Sequence, residues 1–559
     1  MGMHHLSNST KQRLSDCEWG IPEVFAKRFR FNGLIFGLLI TVMPQLVYAD
    51  IRLHGLFLDH MVVQRETEIP IWGWADPDEK VTIKASWGAQ AEAITGPDGS
   101  WRAKLKTPKA GGPFQIEVSG KNAIVLNDVL SGDVWLCSGQ SNMDFAMSKF
   151  VNDAREPRYQ PFVEYIRNEV ATANDPWLRH IEVPQTPSLY EKKTNFKGTW
   201  VSANPEQVGA ITAIGYFFAK ELRKHLDVPI GLLECSWGGT RIQPWLSEET
   251  YMADEQMKAY FEAGRIKIKD IISKADAEEY VDTSYQRKYE QWIENGKKNP
   301  RPYPQEYPTK DKQVPATLHN GMISAIVPFA IKGALWYQGE SNSHFMEELY
   351  GDYLIRLITS WRAEWGQGDF PFYWTQLAAY KVTDKRSDLG WALVNDQMRS
   401  ALALPNTGMA VLHDIGEPAD VHPHNKEDAG KRLALWALQQ DYGIDVPAVS
   451  GPLYRSAKAV DGKMLIKFDH VGPGLMVGHK AYLNDAVAVD MPLTWFEIAG
   501  ADQQWKRAIA KIASKDTVEV SHPGIAAPMA VRYAWSSNPE GANLYNKEGL
   551  PAAVFSTEN

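Results

Sequence analysis

A chain of 559 residues is longer than one ordinary domain holds, and 44% hydrophobic against 23% charged residues supplies apolar material for several cores. Its 59 basic and 68 acidic side chains leave a net charge of −9 with no Lys/Arg block, which argues against nucleic acid as a partner. The 20 Trp and 22 Tyr fit large β-rich cores, and such rings also serve as flat apolar platforms for sugars.

At the N-terminus, Lys27, Arg28 and Arg30 precede LIFGLLITVM, Leu34 to Met43. That run has the length of a signal-peptide core and is too short to span a bilayer well. Val47-Tyr48-Ala49 offers a cleavage site, so residues 1–49 are expected to be a signal-peptide region. No other membrane-spanning run follows Met43. The mature chain, from Asp50, is expected to be exported to the periplasm or the extracellular medium with no membrane span; an uncleaved anchor is the alternative.

Residues 50–127 read as a β-sandwich-like domain. IPIWGWA, KVTIKASW, SWRAKLKT and FQIEVSG are separated by Asp-Pro-Asp, Gly-Pro-Asp-Gly and Gly-Gly-Pro turns. From 128 to 445, parallel-type apolar runs such as DVWLC, GLLEC and GALWY alternate with helical stretches. That pattern predicts a three-layer α/β domain with a mostly parallel sheet. Ile211 to Leu226 has helical periodicity with a basic end, and Asn425 is placed to cap a helix running to Leu438. A charged, aromatic, helical insertion at about 247–315 ends in a Pro-rich segment. Residues 446–559 return to β texture as a C-terminal β domain. Cys137 and Cys235 each end an apolar run and are expected to be buried thiols, a disulfide being the alternative if their strands are neighbours. There is no CxxC-type metal spacing.

In parallel α/β sheets, ligands collect at the carboxyl ends of strands. Four such ends are chemically unusual: Gly139-Gln140-Ser141-Asn142-Met143, Ser236-Trp237-Gly238-Gly239-Thr240, Gln338-Gly339-Glu340-Ser341-Asn342, and Asp420-Val421-His422-Pro423-His424. Together they hold the parts of acyl transfer. Ser141 offers a hydroxyl and His422 a base. Gly238 and Gly239 let a backbone N–H approach substrate, and Gln338 or Asn342 offers a side-chain N–H. Donors of this kind stabilise an oxyanion by roughly 3–4 kcal/mol each. Taken singly, each residue is a turn or loop residue; only their joint occurrence points to a site. Met143 stands where a nucleophile elbow has its second glycine, so the motif is not Gly-x-Ser-x-Gly.

GQSNM, the GGT after GLLECSW, ATLHNGMISAIVPFAIKGALWYQGESN, DVHPHNKEDAGKRLA, VRYAW and NLYNKEGLPAAVF resemble the blocks of the sialate O-acetylesterase family, a branch of the SGNH hydrolases. The likeness covers most of residues 50–559. It implies Ser141 as nucleophile, His422 as base, and an oxyanion hole from Ser141, Gly239 and Gln338, with Asn342 second to Gln338. Many SGNH enzymes carry Asp three residues before the histidine; here that position is Ala419. Asp420 is therefore the expected third member, with Asp414, Glu417 or a backbone carbonyl as alternatives, and His424 competes as base. Arg241, Asn342 and Trp237 are further candidates for substrate contact, Arg241 for a sugar carboxylate. The resemblance implies an exported O-acetylesterase that acts on sugars through an acetyl-enzyme without metal or cofactor. The sugar is sialate, or alternatively acetylated xylan or xyloglucan. A non-catalytic carbohydrate-binding protein and a lipase or thioesterase are the rival readings.

Overall fold

The computed structural model describes residues 50–151, 159–274, 287, 289–296 and 311–558. The expected signal-peptide region lies outside these, as do residues 275–286 and the Pro-rich 297–310 of the insertion. Among the described residues, no helix is long and apolar enough to cross a membrane.

One large mixed sheet carries the strand ends singled out above. Seven of its strands are β1 (Ala123–Gly139), β2 (Asp175–Glu182), β3 (Val201–Ala203), β4 (Ile230–Ser236), β5 (Gly333–Tyr337), β6 (Phe372–Thr375) and β7 (Thr407–Ala410). They lie side by side as β3-β2-β4-β1-β5-β6-β7. All neighbours are parallel except β3 and β2. Strands β4 to β7 are buried along their whole length, as parallel strands covered on both faces must be. That burial is why GLLEC and GALWY are unbroken apolar runs.

Strand β1 does two jobs. Its first residues mix exposed and buried positions and pair antiparallel with Gly111–Ser119. From Val129 onward every residue is buried, and the strand pairs parallel with β4 and β5. The expected boundary at 127/128 thus falls inside one continuous strand. Strands Lys80–Ala85, Gln90–Ile94 and Gly111–Ser119 of the N-terminal region join the same sheet. The remaining N-terminal strands include Glu68–Trp74, antiparallel to Ser100–Lys106, with Ile69, Ile71, Trp101 and Leu105 inside.

Helices α1 (Ala213–His225), α2 (Glu255–Lys274), α3 (Tyr350–Trp365) and α4 (Lys426–Asp441) connect or border these strands. The last turn of α1 carries Arg223, Lys224 and His225, cations that suit the negative end of its dipole. Asn425 caps α4, its side chain accepting from the Asp428 N–H at 3.0 Å. Residues 446–558 form small antiparallel sheets. One, of Leu453–Val460, Lys463–Asp469, Thr517–Ser521 and Ile509–Ser514, closes over a separate core built from Ile466, Phe468, Phe496, Tyr533 and Phe555.

Cys137 and Cys235 are buried free thiols on neighbouring strands. Register prevents their pairing. Cys137 stands opposite Glu234 and Cys235 opposite Ser138, so the two side chains point to opposite faces of the sheet.

The chain enters the parallel part of the sheet at β1, builds β2 to β4 on one side, then crosses and builds β5 to β7 on the other. The crevice outside the carboxyl ends of β1, β4 and β5 is therefore the topological switch point, where open α/β sheets bind ligands.

Candidate active site

At the tip of β1, Gly139 has φ +136°, and a Cβ there would lie 2.1 Å from the Tyr337 carbonyl oxygen. Glycine alone lets β1 end so close against β5. The Gln140 N–H then donates to the same carbonyl, and the Met143 and Asp144 N–H groups donate back to the Gln140 carbonyl, closing a tight turn. Gln140 and Asn142 are 3% and 1% exposed, while Ser141 between them is only half-buried. Ser138, the other serine of the stretch, donates its hydroxyl to the Cys235 carbonyl and pins β1 to β4.

The loop between β7 and α4 brings His422 to this turn. Its Nε2 lies 2.8 Å from Ser141 Oγ, across 281 residues of sequence. Asp420 Oδ1 accepts the His422 backbone N–H at 2.8 Å and lies 3.5 Å from Nδ1. The alternatives to these two residues are engaged elsewhere. Asp414 forms a buried bidentate pair with Arg432 at 2.6 and 2.8 Å. Burial would raise its pKa, but Arg432 overrides that and holds the carboxyl below its ordinary range. Glu417 accepts both the backbone N–H and the Nδ1 side of His424, and the His424 ring stacks on Tyr159 at 4.4 Å.

Two expected donors are engaged within the protein. The Gln338 amide is fully buried, and its Nε2 lies 2.9 Å from Asn342 Oδ1, 3.0 Å from the Thr240 carbonyl and 3.2 Å from Gln140 Oε1. Its Oε1 accepts from the Tyr350 hydroxyl. An amide has two N–H protons, and both are consumed within the protein. Asn342 is in the same position. Its Oδ1 also accepts the Ile242 N–H, and its Nδ2 donates to Gln243 Oε1 and the Phe345 carbonyl. These two residues brace the loops after β4 and β5 against each other.

The loop after β4 does reach the turn. A Cβ on Gly238 would lie 3.2 Å from Ser141 Cβ, so its lack of a side chain permits the approach. Neither the Ser141 nor the Gly239 N–H donates to another described residue. The chain returning from the insertion clasps this loop. Lys312 Nζ donates to the Gly238 carbonyl at 2.8 Å and sits 5.3 Å from the centre of the Trp237 ring. Gln313 donates to the Gly239 carbonyl and accepts the Arg241 N–H. The Arg241 guanidinium covers the Phe345 ring at 3.7 Å.

Sequence reasoning missed Lys312, since its contact spans 74 residues and no local pattern marks it. It also missed Asp144, whose Oδ2 would be 3.5 Å from a Gly238 Cβ. Burial pushes the Asp144 carboxyl up to about 6, against the partial relief of Lys149 at 3.8 Å. Asn142, Glu340 and Lys426 form a buried cluster behind Ser141. All three lie inside the quoted motifs, and membership of those motifs was the available signal. Among the described residues, no three His, Cys, Asp or Glu side chains are grouped to hold a metal ion.

The profile of the carbohydrate esterase, sialic acid-specific acetylesterase family matches residues 131–301 and 312–439. The sialate O-acetylesterase of Mus musculus is 26% identical over 94% of this chain and 98% of its own. That of Homo sapiens is 26% identical over 94% and 96%. The crystal structure of a carbohydrate acetylesterase from Xanthomonas citri superposes with a TM-score of 0.73 at 34% identity, covering 91% of this chain and 99% of that one. The matched residues contain the Ser141 turn, the Gly238–Gly239 loop and His422, so the likeness spans the crevice as well as the scaffold, and the chain belongs to the sialic acid-specific acetylesterase family of carbohydrate esterases, as a hydrolase of acetyl esters.

Proposed function

We propose that this esterase is an exported serine O-acetylesterase of sugars, built on an SGNH-type three-layer fold and acting through an acetyl-enzyme. The observation that carries the mechanism is the 2.8 Å contact between Ser141 Oγ and His422 Nε2 at the switch point of the sheet. Ser141 Oγ attacks the acetyl carbonyl carbon while His422 Nε2 takes its proton. The carbonyl oxygen becomes an oxyanion and receives the Ser141 and Gly239 N–H groups, which no described residue occupies. The tetrahedral intermediate then collapses: the bond to the sugar oxygen breaks, and His422 returns the proton to that oxygen. Water attacks the acetyl-enzyme, its proton passing to Nε2, and acetate leaves as Ser141 Oγ is reprotonated. Asp420 faces the imidazolium that forms twice in this cycle and stabilises it. The oxyanion hole in this reading is made of backbone, without the Gln338 amide.

The sugar is an acidic one of the sialate type. Arg241 and Lys312 flank the loop that touches Ser141, and neither forms an ion pair with another described residue. Two cations beside the nucleophile loop that make no direct ion pair, with Asp311 acting on Arg241 only at longer range, suit a substrate that brings its own carboxylate. Export rests on the Lys27–Ala49 pattern.

Replacing Ser141 by Ala is expected to abolish acetate release from 4-nitrophenyl acetate while the circular dichroism spectrum is kept. A near-normal rate in that variant would overturn the mechanism. Acetate release compared between O-acetylated sialic acid and acetylated xylan or xyloglucan tests the substrate, and a preference for the neutral polysaccharide would replace the sialate reading.

A further inference from the structure

Lys426 occupies a place that two physical effects disfavour. It opens α4, where the positive end of the helix dipole repels a cation, and it is 1% exposed, where burial penalises an ammonium. Its Nζ donates at 2.5 Å to Asn142 Oδ1 and lies 5.3 Å from the centre of the Phe145 ring. Glu340 is its counterpart. That carboxyl is 7% exposed; Oε1 accepts Asn142 Nδ2 at 2.6 Å, and Oε2 has no hydrogen bond among the described residues. Asn142 therefore stands between a buried cation and a buried acid. Its amide also donates at 3.1 Å to the carbonyl of Val421, the residue before His422.

A buried ion pair bridged by an amide stabilises a fold less than apolar residues of the same volume would. What this cluster does achieve is geometric. The residue after Ser141 is tied at once to the loop after β5, to the His422 loop and to the start of α4. From these contacts we infer that Lys426 and Glu340 are positioning residues: through the Asn142 side chain they hold the Ser141 turn against the Val421–His422 loop, keeping Oγ and Nε2 within hydrogen-bonding distance. The inference rests on the serine–histidine mechanism proposed above.

The charges around the cluster give it a second signature. Lys426 is faced by Glu340 from the loop after β5, by Glu417 and Asp420 from the loop before α4, and by Lys149 from the short helix after β1. Glu340 is faced by His422 as well as by Lys426. Burial pushes the Lys426 ammonium down to about 7, the acids opposing, and burial raises the Glu340 carboxyl above its ordinary range. Removing the Lys426 charge leaves these acids without their buried cation beside the reacting pair, and removing the Glu340 charge leaves Lys426 with one acid fewer.

Lys426→Met keeps chain length and removes charge and donor. Its kcat on 4-nitrophenyl acetate is expected to fall about 100-fold with KM within about twofold, because a small displacement of the reacting pair costs that much. The acid limb of its kcat/KM profile is expected to move to higher pH. Glu340→Gln, which keeps the acceptor, is expected to move the acid limb to lower pH. A Lys426→Met enzyme with wild-type kcat and acid limb but a lowered melting temperature would overturn the inference, leaving a structural residue. If Lys426→Met does not fold, Glu340→Gln decides, and an unmoved acid limb overturns it. Activity surviving in Ser141→Ala would remove the mechanism beneath the inference. An inactive Ser141→Ala beside a wild-type Lys426→Met would remove this inference alone.

Discussion

Ser141, His422 and Asp420, which the fold brings within reach of one another, stand out in the sequence because each lies within a motif long enough to be specific. Gln338, expected as an oxyanion donor, has its amide engaged within the protein. A sequence shows that an amide has donors, but not that the Thr240 carbonyl, Asn342 and Gln140 will consume them. Gln338→Met leaves the Thr240 carbonyl without its donor in a dry interior and takes one hydrogen-bond partner each from Asn342 Oδ1, Gln140 Oε1 and the Tyr350 hydroxyl. Its urea midpoint should therefore drop by an amount equivalent to about 2–4 kcal/mol. Asp144 offers a pH test. Its folded-state pKa of about 6 lies above its ordinary 3.8, so the folded chain takes up a proton before the unfolded one as pH falls. The cost of burying the carboxylate is complete above pH 6 and vanishes below pH 3.8. Asp144→Asn should accordingly raise stability at pH 8 by about 1–2 kcal/mol, after discounting for partial exposure, and the gain should shrink by about pH 4. Thermal melts at the two pH values check both the sign and the window.

Elements were read best where burial is two-sided. β4 and β5 are buried on both faces, and that leaves short unbroken apolar runs whose length and flanking glycines mark strands rather than helices. The dual character of β1 was not legible, since nothing in VLSGDV, Val129 to Val134, says that the antiparallel and parallel pairings share one strand; only the partners across the sheet decide it. The joint of β1 with β5 supplies a stringent test. Ala at Gly139 meets the Tyr337 carbonyl at 2.1 Å in a backbone region closed to L-residues, so Gly139→Ala should cost more than about 4 kcal/mol and leave little folded protein. Gly366, which ends α3 at φ +63° with nothing within 4 Å of a Cβ, is the control. Gly366→Ala should cost only about 1 kcal/mol by thermal melt. Equal losses in the two variants would mean that close approach at the strand tip is not what demands glycine there.

On the scale of the whole molecule, the site is assembled from parts that lie up to 281 residues apart in the chain, and one wall of it comes from the insertion. The insertion was legible as an interruption of the strand–helix rhythm, but its service to the site was not. Lys312 joins the loop after β4 only because the returning chain passes over it, a fact of topology. The net charge of −9 would repel an acidic substrate, so Arg241 and Lys312 must reverse the field locally if the sialate reading holds. That reversal depends on ionic strength, because charges near solvent are screened beyond about 10 Å at about 0.1 M salt. For O-acetylated sialic acid, kcat/KM should fall as salt rises from about 20 to about 200 mM, while 4-nitrophenyl acetate, which is neutral, should be unaffected. In Lys312→Ala and Arg241→Ala, KM for the acidic substrate should rise about tenfold, its salt dependence should flatten, and kcat on the neutral ester should stay near wild type. If both variants instead treat the two esters alike, the cations brace the loop rather than receive a carboxylate, and an acetylated neutral glycan becomes the substrate to pursue.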